Sequence, residues 1–86
     1  MEINWTLEKI EDYLSNKIAE IIEENPENIQ LNKPFSEYSI DSAEGIGLSG
    51  DIEEDFNLKL SPLVLFEYPT ISKLANYIFK KIKFNK

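Results

Sequence analysis

The chain has 86 residues, 42% of them hydrophobic, with five Phe, four Tyr and one Trp, enough for one small domain that buries about 60 to 65 per cent of its unfolded surface and no more. It contains neither Cys nor His, which excludes a disulfide framework, a thiolate nucleophile, the usual zinc ligands and the commonest general base. The net charge is −7 and all nine cations are Lys; with no Arg for bidentate recognition of phosphates and bases, nucleic acid is a poor partner.

No apolar run approaches the roughly 18 to 20 residues of a membrane span, and the N-terminus lacks a basic start followed by an apolar stretch. A soluble, cytoplasmic, monomeric protein of one domain over residues 1–86 is expected, with no membrane or metal. Met1 and the compact ends favour a free-standing protein over a piece of a larger synthase.

In chain order, Leu7, Ile10, Leu14, Ile18, Ile21 and Ile22 recur at spacings of three and four, which predicts a first helix over residues 5–24. Asn4 or Thr6 can cap its start, and Asn25 with Pro26 ends it. Residues 25–41 hold two Pro and three Asn, but also Ile29, Leu31, Phe35, Tyr38 and Ile40. This long connection is therefore expected to lie against the core.

A second helix is predicted over 42–56, with Leu48, Ile52 and Phe56 on its buried side. Ser61 then reads as an N-cap with Pro62 at the first helical position, opening a short third helix through Val64 and Phe66. Pro69 stops it, and Thr70 caps a fourth helix that buries Ile71, Leu74, Ala75, Ile78 and Ile82. Nothing alternates as a strand. The fold class is all-α: a four-helix bundle with three longer helices, a short third one, and a long loop between the first two.

Charge is segregated along this frame. Residues 41–56 hold Asp41, Glu44, Asp51, Glu53, Glu54 and Asp55 without a Lys, whereas residues 69–86 hold Lys73, Lys80, Lys81, Lys83 and Lys86 without an acid. The acidic run is either an ordinary solvated helix face or a surface that steers basic partners.

Asp41 and Ser42 open the second helix and admit two readings. Both residues are common helix caps. A serine in the first turn is also an attachment point for a phosphate-linked group, because a phosphate there meets unpaired backbone N–H groups and the positive end of the helix dipole. Gly45, Gly47 and Gly50 match the GxGxxG spacing of dinucleotide-binding loops, but that fingerprint needs a preceding strand and a parallel sheet, and here the glycines fall inside a helix. Ala43, Gly47, Gly50 and Glu54 instead form a stripe almost bare of side chains. They are either tolerated by a helix that core packing holds, or a flat strip on which a partner approaches the backbone.

Phe35, then Ser39, Ile40, Asp41 and Ser42, the run from Glu44 to Phe56, and Ser61, Pro62, Phe66, Tyr68, Pro69 and Thr70 together resemble an acyl carrier protein, most of all the polyketide-type carriers. The stretches 47–54 and 61–70 are also similar to carriers that work with fatty-acyl-adenylate ligases. The resemblance implies that Ser42 receives 4′-phosphopantetheine from coenzyme A through a phosphopantetheinyl transferase, and that Asp41 helps present it. It implies that Glu44, Ile46, Asp51 and Glu54 face partners, an acyl-activating ligase, a ketosynthase or other acyl-processing enzymes, and on the flat-strip reading Ala43, Gly47 and Gly50 join that face. A chain without Cys or His would then carry acyl groups on a borrowed thiol and would not be an enzyme. The acyl group is expected to fold back between helices two and three, against Ile46, Leu48, Leu63 and Phe66.

Two positions depart from the family's common pattern, Ala43 where Leu usually follows the modified serine and Gly50 where a bulky residue is usual; both bear on the choice of partner. A peptidyl carrier of nonribosomal synthesis, or an unmodified acidic interaction module in which Asp41 and Ser42 only cap, are the alternatives.

Overall fold

The computed structural model describes residues 4–84, so Met1 and Lys86 of the sequence reading lie outside the described residues. Four α-helices are present, α1 Leu7–Ile22, α2 Ser42–Phe56, α3 Val64–Glu67 and α4 Ile71–Phe84, and there is no strand among the described residues.

The first helix spans its apolar pattern from Leu7 to Ile22 and is shorter at both ends than the expected 5–24. Thr6, and not Asn4, is the cap: its Oγ1 accepts the Lys9 N–H at 3.1 Å, and its extended backbone leaves Trp5 outside the helix. At the other end Glu23 adopts a left-handed conformation with φ 56°. The Ala19 carbonyl then accepts from both Glu23 and Glu24, closing the helix before Pro26 can. Asn25 caps a 3₁₀ turn at Pro26–Asn28 instead, through Oδ1 and the Glu27 N–H at 3.1 Å.

The long connection packs down as its apolar content requires. A second 3₁₀ turn, Phe35–Tyr38, buries both of its aromatic ends. The Tyr38 hydroxyl accepts from the Gln30 N–H at 2.7 Å and donates to the Gln30 carbonyl at 3.1 Å. Two backbone bonds fasten the loop to the α3–α4 junction: Phe35 N–H to the Pro69 carbonyl at 2.8 Å, and Ser72 N–H to the Leu31 carbonyl at 2.9 Å.

α2 begins and ends where its sequence predicts. The third helix does not. Ser61 and Pro62 form a turn ahead of it, with the Ser61 Oγ accepting the Leu63 N–H at 3.0 Å and the Ser61 carbonyl accepting the Val64 N–H at 3.1 Å. Leu63 occupies the cap position, so α3 is a single turn. Thr70 caps α4 as expected, its Oγ1 accepting the Lys73 N–H at 3.1 Å.

One core joins the elements. Ile10, Leu14 and Ile18 from α1 meet Leu48, Ile52 and Phe56 from α2, Val64 and Leu65 from α3, and Ile71, Leu74, Ala75 and Ile78 from α4. Phe35, Tyr38 and Leu58 complete it from the connections. At the C-terminal end of α2, Phe56 packs against Trp5 in a tilted arrangement and against Tyr13 edge to face, at centroid distances of 4.4 and 4.9 Å. The Tyr13 hydroxyl donates to the Asp55 carboxylate. Burial first, and then this bond, push the Tyr13 phenol above its ordinary pKa.

Candidate functional site

The site is the start of α2. Ser39, in a left-handed conformation with φ 58°, turns the chain out of the second 3₁₀ turn, and half-buried Ile40 anchors it against the core. Asp41 is the N-cap. Its Oδ1 accepts the Glu44 N–H at 2.7 Å, while the Glu44 Oε1 accepts the Asp41 N–H at 3.0 Å. This reciprocal pair satisfies two amides at the helix end.

Asp41 and Ser42 therefore have different positions and different work. Asp41 caps. Ser42 is the first helical residue, exposed, and its hydroxyl makes no hydrogen bond among the described residues. The Ser42 and Ala43 amides likewise have no protein acceptor among the described residues. An exposed hydroxyl, two open amides and the positive end of a 15-residue helix converge at one point, which suits a phosphate ester.

The surface beyond Ser42 follows the 3.6-residue period. Ala43, Glu44, Ile46, Gly47, Gly50, Asp51 and Glu54 are all exposed, whereas Gly45, Leu48, Ser49, Ile52 and Phe56 face inward. A Cβ added at Gly47 or Gly50 would meet nothing within 4 Å. Asp51 reaches half-buried Lys17 of α1 at 3.8 Å, an ion pair at the edge of this face. The three glycines lie inside α2 with no strand before them among the described residues, so the context of a dinucleotide loop is missing.

Of the four residues expected to form an acyl pocket, only Phe66 lines the cavity beside the site. Leu48 is 2% exposed and part of the core, because its position on α2 points at the bundle centre. Ile46 and Leu63 are 47% and 52% exposed and stand outside, the latter because the chain is still turning at Leu63 when α3 begins. The cavity, about 250 Å³, is bounded instead by Phe35, Ser36, Ile40, Asp41, Gly45, Leu65, Phe66 and Pro69. The available signals were Ile40 immediately before Asp41 and a glycine on the buried side of an amphipathic helix. Larger open depressions lie along α1 and α4, and one between α1 and α2 is lined by Lys17, Glu20, Ile21, Glu44, Gly47, Leu48 and Asp51.

No helix among the described residues is long and apolar enough to cross a membrane. The family model described as phosphopantetheine attachment site matches residues 12–78, and the chain belongs to that family: it is a non-catalytic carrier of the acyl or peptidyl type, whose prosthetic group is 4′-phosphopantetheine.

Among curated proteins it is 31% identical over 70 residues to polyketide synthase PksL of Bacillus subtilis and 26% identical over 78 residues to an erythronolide synthase of Saccharopolyspora erythraea. These matches cover 81% and 90% of this chain but only 2% of each synthase. Among solved structures, a free-standing peptidyl carrier protein from an Acinetobacter baumannii secondary metabolic pathway superposes with TM-score 0.87 at 30% identity, covering 92% of this chain and 99% of that one. The HMG-ACPI domain of the CurA module from Lyngbya majuscula gives TM-score 0.86 at 26% identity, covering 99% of this chain and 87% of that one.

Proposed function

We propose that residues 1–86 form one carrier domain, a cytoplasmic monomer, that bears phosphopantetheine on Ser42 and shuttles acyl intermediates of polyketide, fatty-acid or related secondary-metabolite synthesis. The observation that carries the assignment is the division of labour at the α2 start. Asp41 does the capping, which frees the Ser42 hydroxyl. In the transfer, the Ser42 oxygen bonds to the phosphorus bearing the pantetheine arm of coenzyme A. The pyrophosphate linkage breaks, adenosine bisphosphate leaves, and the hydroxyl proton goes to solvent. When bound, the group supplies the thiol that this chain lacks, on which acyl groups ride as thioesters.

The chain's own residues do the rest. The open amides of Ser42 and Ala43 hold the phosphodiester. Asp41 keeps the helix start formed and faces the phosphopantetheinyl transferase. Ala43, Glu44, Ile46, Gly47, Gly50, Asp51 and Glu54 meet a ketosynthase or an acyl-activating ligase of the fatty-acyl-adenylate type through weak, charge-steered contacts that release quickly. A peptidyl cargo is the second reading, favoured by the 30% identity to a free-standing peptidyl carrier.

The test is intact mass after incubation with coenzyme A, magnesium and a broad-specificity transferase. One phosphopantetheine is expected on the wild type and none on Ser42→Ala. An unmodified wild type beside a competent control carrier refutes the assignment. Loading of the holo protein by an acyl-adenylating rather than an amino-acid-adenylating enzyme then separates the two cargoes.

A further inference from the structure

The outward face of α4 breaks two rules of helix charge. Lys73 is its third residue, in a first turn that holds no acid, whereas the first turns of α1 and α2 carry Glu8 and Glu44. A cation there opposes the helix dipole. Lys80 and Lys83, three residues apart on the same side, repel each other. None of Lys73, Lys80, Lys81 and Lys83 pairs with a carboxylate among the described residues, where Lys17 with Asp51 is the one ion pair. Lys81 and Lys83 suit the last turn, but nothing in the folding of the helix asks for Lys73 or Lys80.

These lysines frame an aromatic floor. Tyr68, at the end of α3, stacks on Tyr77 with ring centres 4.1 Å apart and planes 16° from parallel. Both residues are half-buried, and with Ser72, Lys73, Asn76 and Lys80 they line one open depression, which has the single acid Glu67 at its edge. Tyr13 and Tyr38 engage Asp55 and Gln30 through their hydroxyls, whereas those of Tyr68 and Tyr77 make no hydrogen bond among the described residues. Lys81 Nζ sits 5.5 Å from the centre of the Tyr77 ring. An aromatic centre inside a polar, charged rim is the composition of a protein interface.

Reach and length decide the occupant. Lys73 and Lys80 stand two helical turns apart, about 10 Å along the axis, and Lys83 extends the row to about 15 Å. Exposed charges are felt over about 8 Å at physiological salt, so a short acidic segment laid on α4 feels these lysines and little else. An extended polyanion such as a membrane surface or a nucleic acid also meets the field of a chain with net charge −7 and finds no Arg. Among the described residues of α4 the exposed ones are Lys73, Asn76, Lys80 and Lys83, which leaves no apolar side chain to insert into lipid. A helix packed along α4 presents carboxylates at the same two-turn interval.

We propose that the outward face of α4 docks an acidic helical segment of a partner protein, with carboxylates two turns apart against Lys73 and Lys80 and an apolar side chain between them on the stacked tyrosines. The depression shares no residue with the cavity beside Ser42 or with α2. Resting on the carrier reading, such a contact holds the carrier on its partner while Ser42 stays open to transfer.

The probe is a synthetic alanine-based helical peptide with two glutamates spaced two turns apart and a leucine midway, titrated into the isotope-labelled protein and followed by amide NMR. It should shift the Tyr68, Ser72, Lys73, Asn76, Tyr77 and Lys80 amides, and an isomer with its glutamates on opposite faces should bind at least about fivefold more weakly. Lys73→Glu should weaken binding at least about threefold and, with Lys80→Glu added, at least about tenfold. Lys73→Glu alone should also raise Tm, because an acid replaces a cation at the helix start; a lower Tm would make Lys73 a structural residue and overturn the argument. Equal binding of the isomer, shifts confined to other elements, or undiminished binding by the double variant overturns the proposal. If the double variant does not fold, Lys73→Gln with Lys80→Gln takes its place, with weaker binding expected and undiminished binding overturning the proposal. Phosphatidylglycerol vesicles that bind the same amides as tightly overturn the choice of a protein segment. The peptide-bound protein should accept phosphopantetheine at unchanged kcat/KM, and inhibition overturns the open Ser42. A wild type that binds the peptide but gains no phosphopantetheine in its absence refutes the carrier reading and leaves the docking face standing.

Discussion

Replacing Gly47 and Gly50 together by alanine separates what α2 needs for folding from what it offers to other proteins. Both positions are exposed helix interior, and neither added Cβ meets an atom within 4 Å. No clash opposes the substitution, so the helix gains propensity and the unfolded chain loses freedom. Each change should stabilise by about 0.5 to 1 kcal/mol, the pair by about 1 to 2 kcal/mol, which for a domain of this size raises Tm by roughly 4 to 15 °C. Thermal unfolding followed by circular dichroism measures this. The same protein is then taken through transferase modification and acyl loading, with kcat/KM measured for each. If a partner lies against the bare stripe of Ala43, Gly47 and Gly50, two methyl groups hold it away from the backbone and kcat/KM falls at least about tenfold, the equivalent of about 1.4 kcal/mol. A more stable variant with unchanged kinetics would discard the landing strip and leave the glycines as tolerated weak points. A variant that is not stabilised would refute the geometric premise.

Three further outcomes follow from the same geometry. Ser42→Ala, at an exposed position with no hydrogen bond to lose, should unfold within about 0.5 kcal/mol of wild type while losing all phosphopantetheine mass. Asp41→Ala should cost about 1 kcal/mol in denaturant unfolding through its lost cap, whereas Asp41→Asn keeps the cap; a transferase rate that falls equally in both would show that the charge, and not the cap, presents the serine. The raised Tyr13 pKa stabilises the folded state fully below the ordinary value of 10.0 and loses that advantage as pH rises above it. Tyr13→Phe should therefore lose less stability than wild type between neutral and strongly alkaline pH, a comparison in which the lysines cancel.

The apolar periods of the sequence placed α1, α2 and α4 and their buried faces because each helix is long enough for its stripe to be unambiguous. Helix ends were legible where a side chain caps, as with Thr70 and Asp41, and illegible where the backbone closes the turn. Glu23 adopts a left-handed conformation with no glycine to announce it. Ser61 and Pro62 read as the start of a helix because their side chains favour one, but the hydrogen bonds to Leu63 and Val64 make a turn first. The site divides in the same way. Periodicity sorts α2 into an outer face and an inner one, so the residues that α2 exposes and those it buries could be named from sequence. It cannot say which distant segment covers the inner face near Gly45. Phe35, Leu65 and Pro69 reach the cavity through tertiary placement, and Leu48, expected there, belongs to the core.

The backbone bond from Phe35 N–H to the Pro69 carbonyl ties together two segments that line one cavity. It acts as a pin. With Phe35 and Pro69 joined at 2.8 Å, the loop that precedes α2 holds the chain just beyond α3, and the two segments cannot separate at this wall of the cavity without breaking a backbone hydrogen bond.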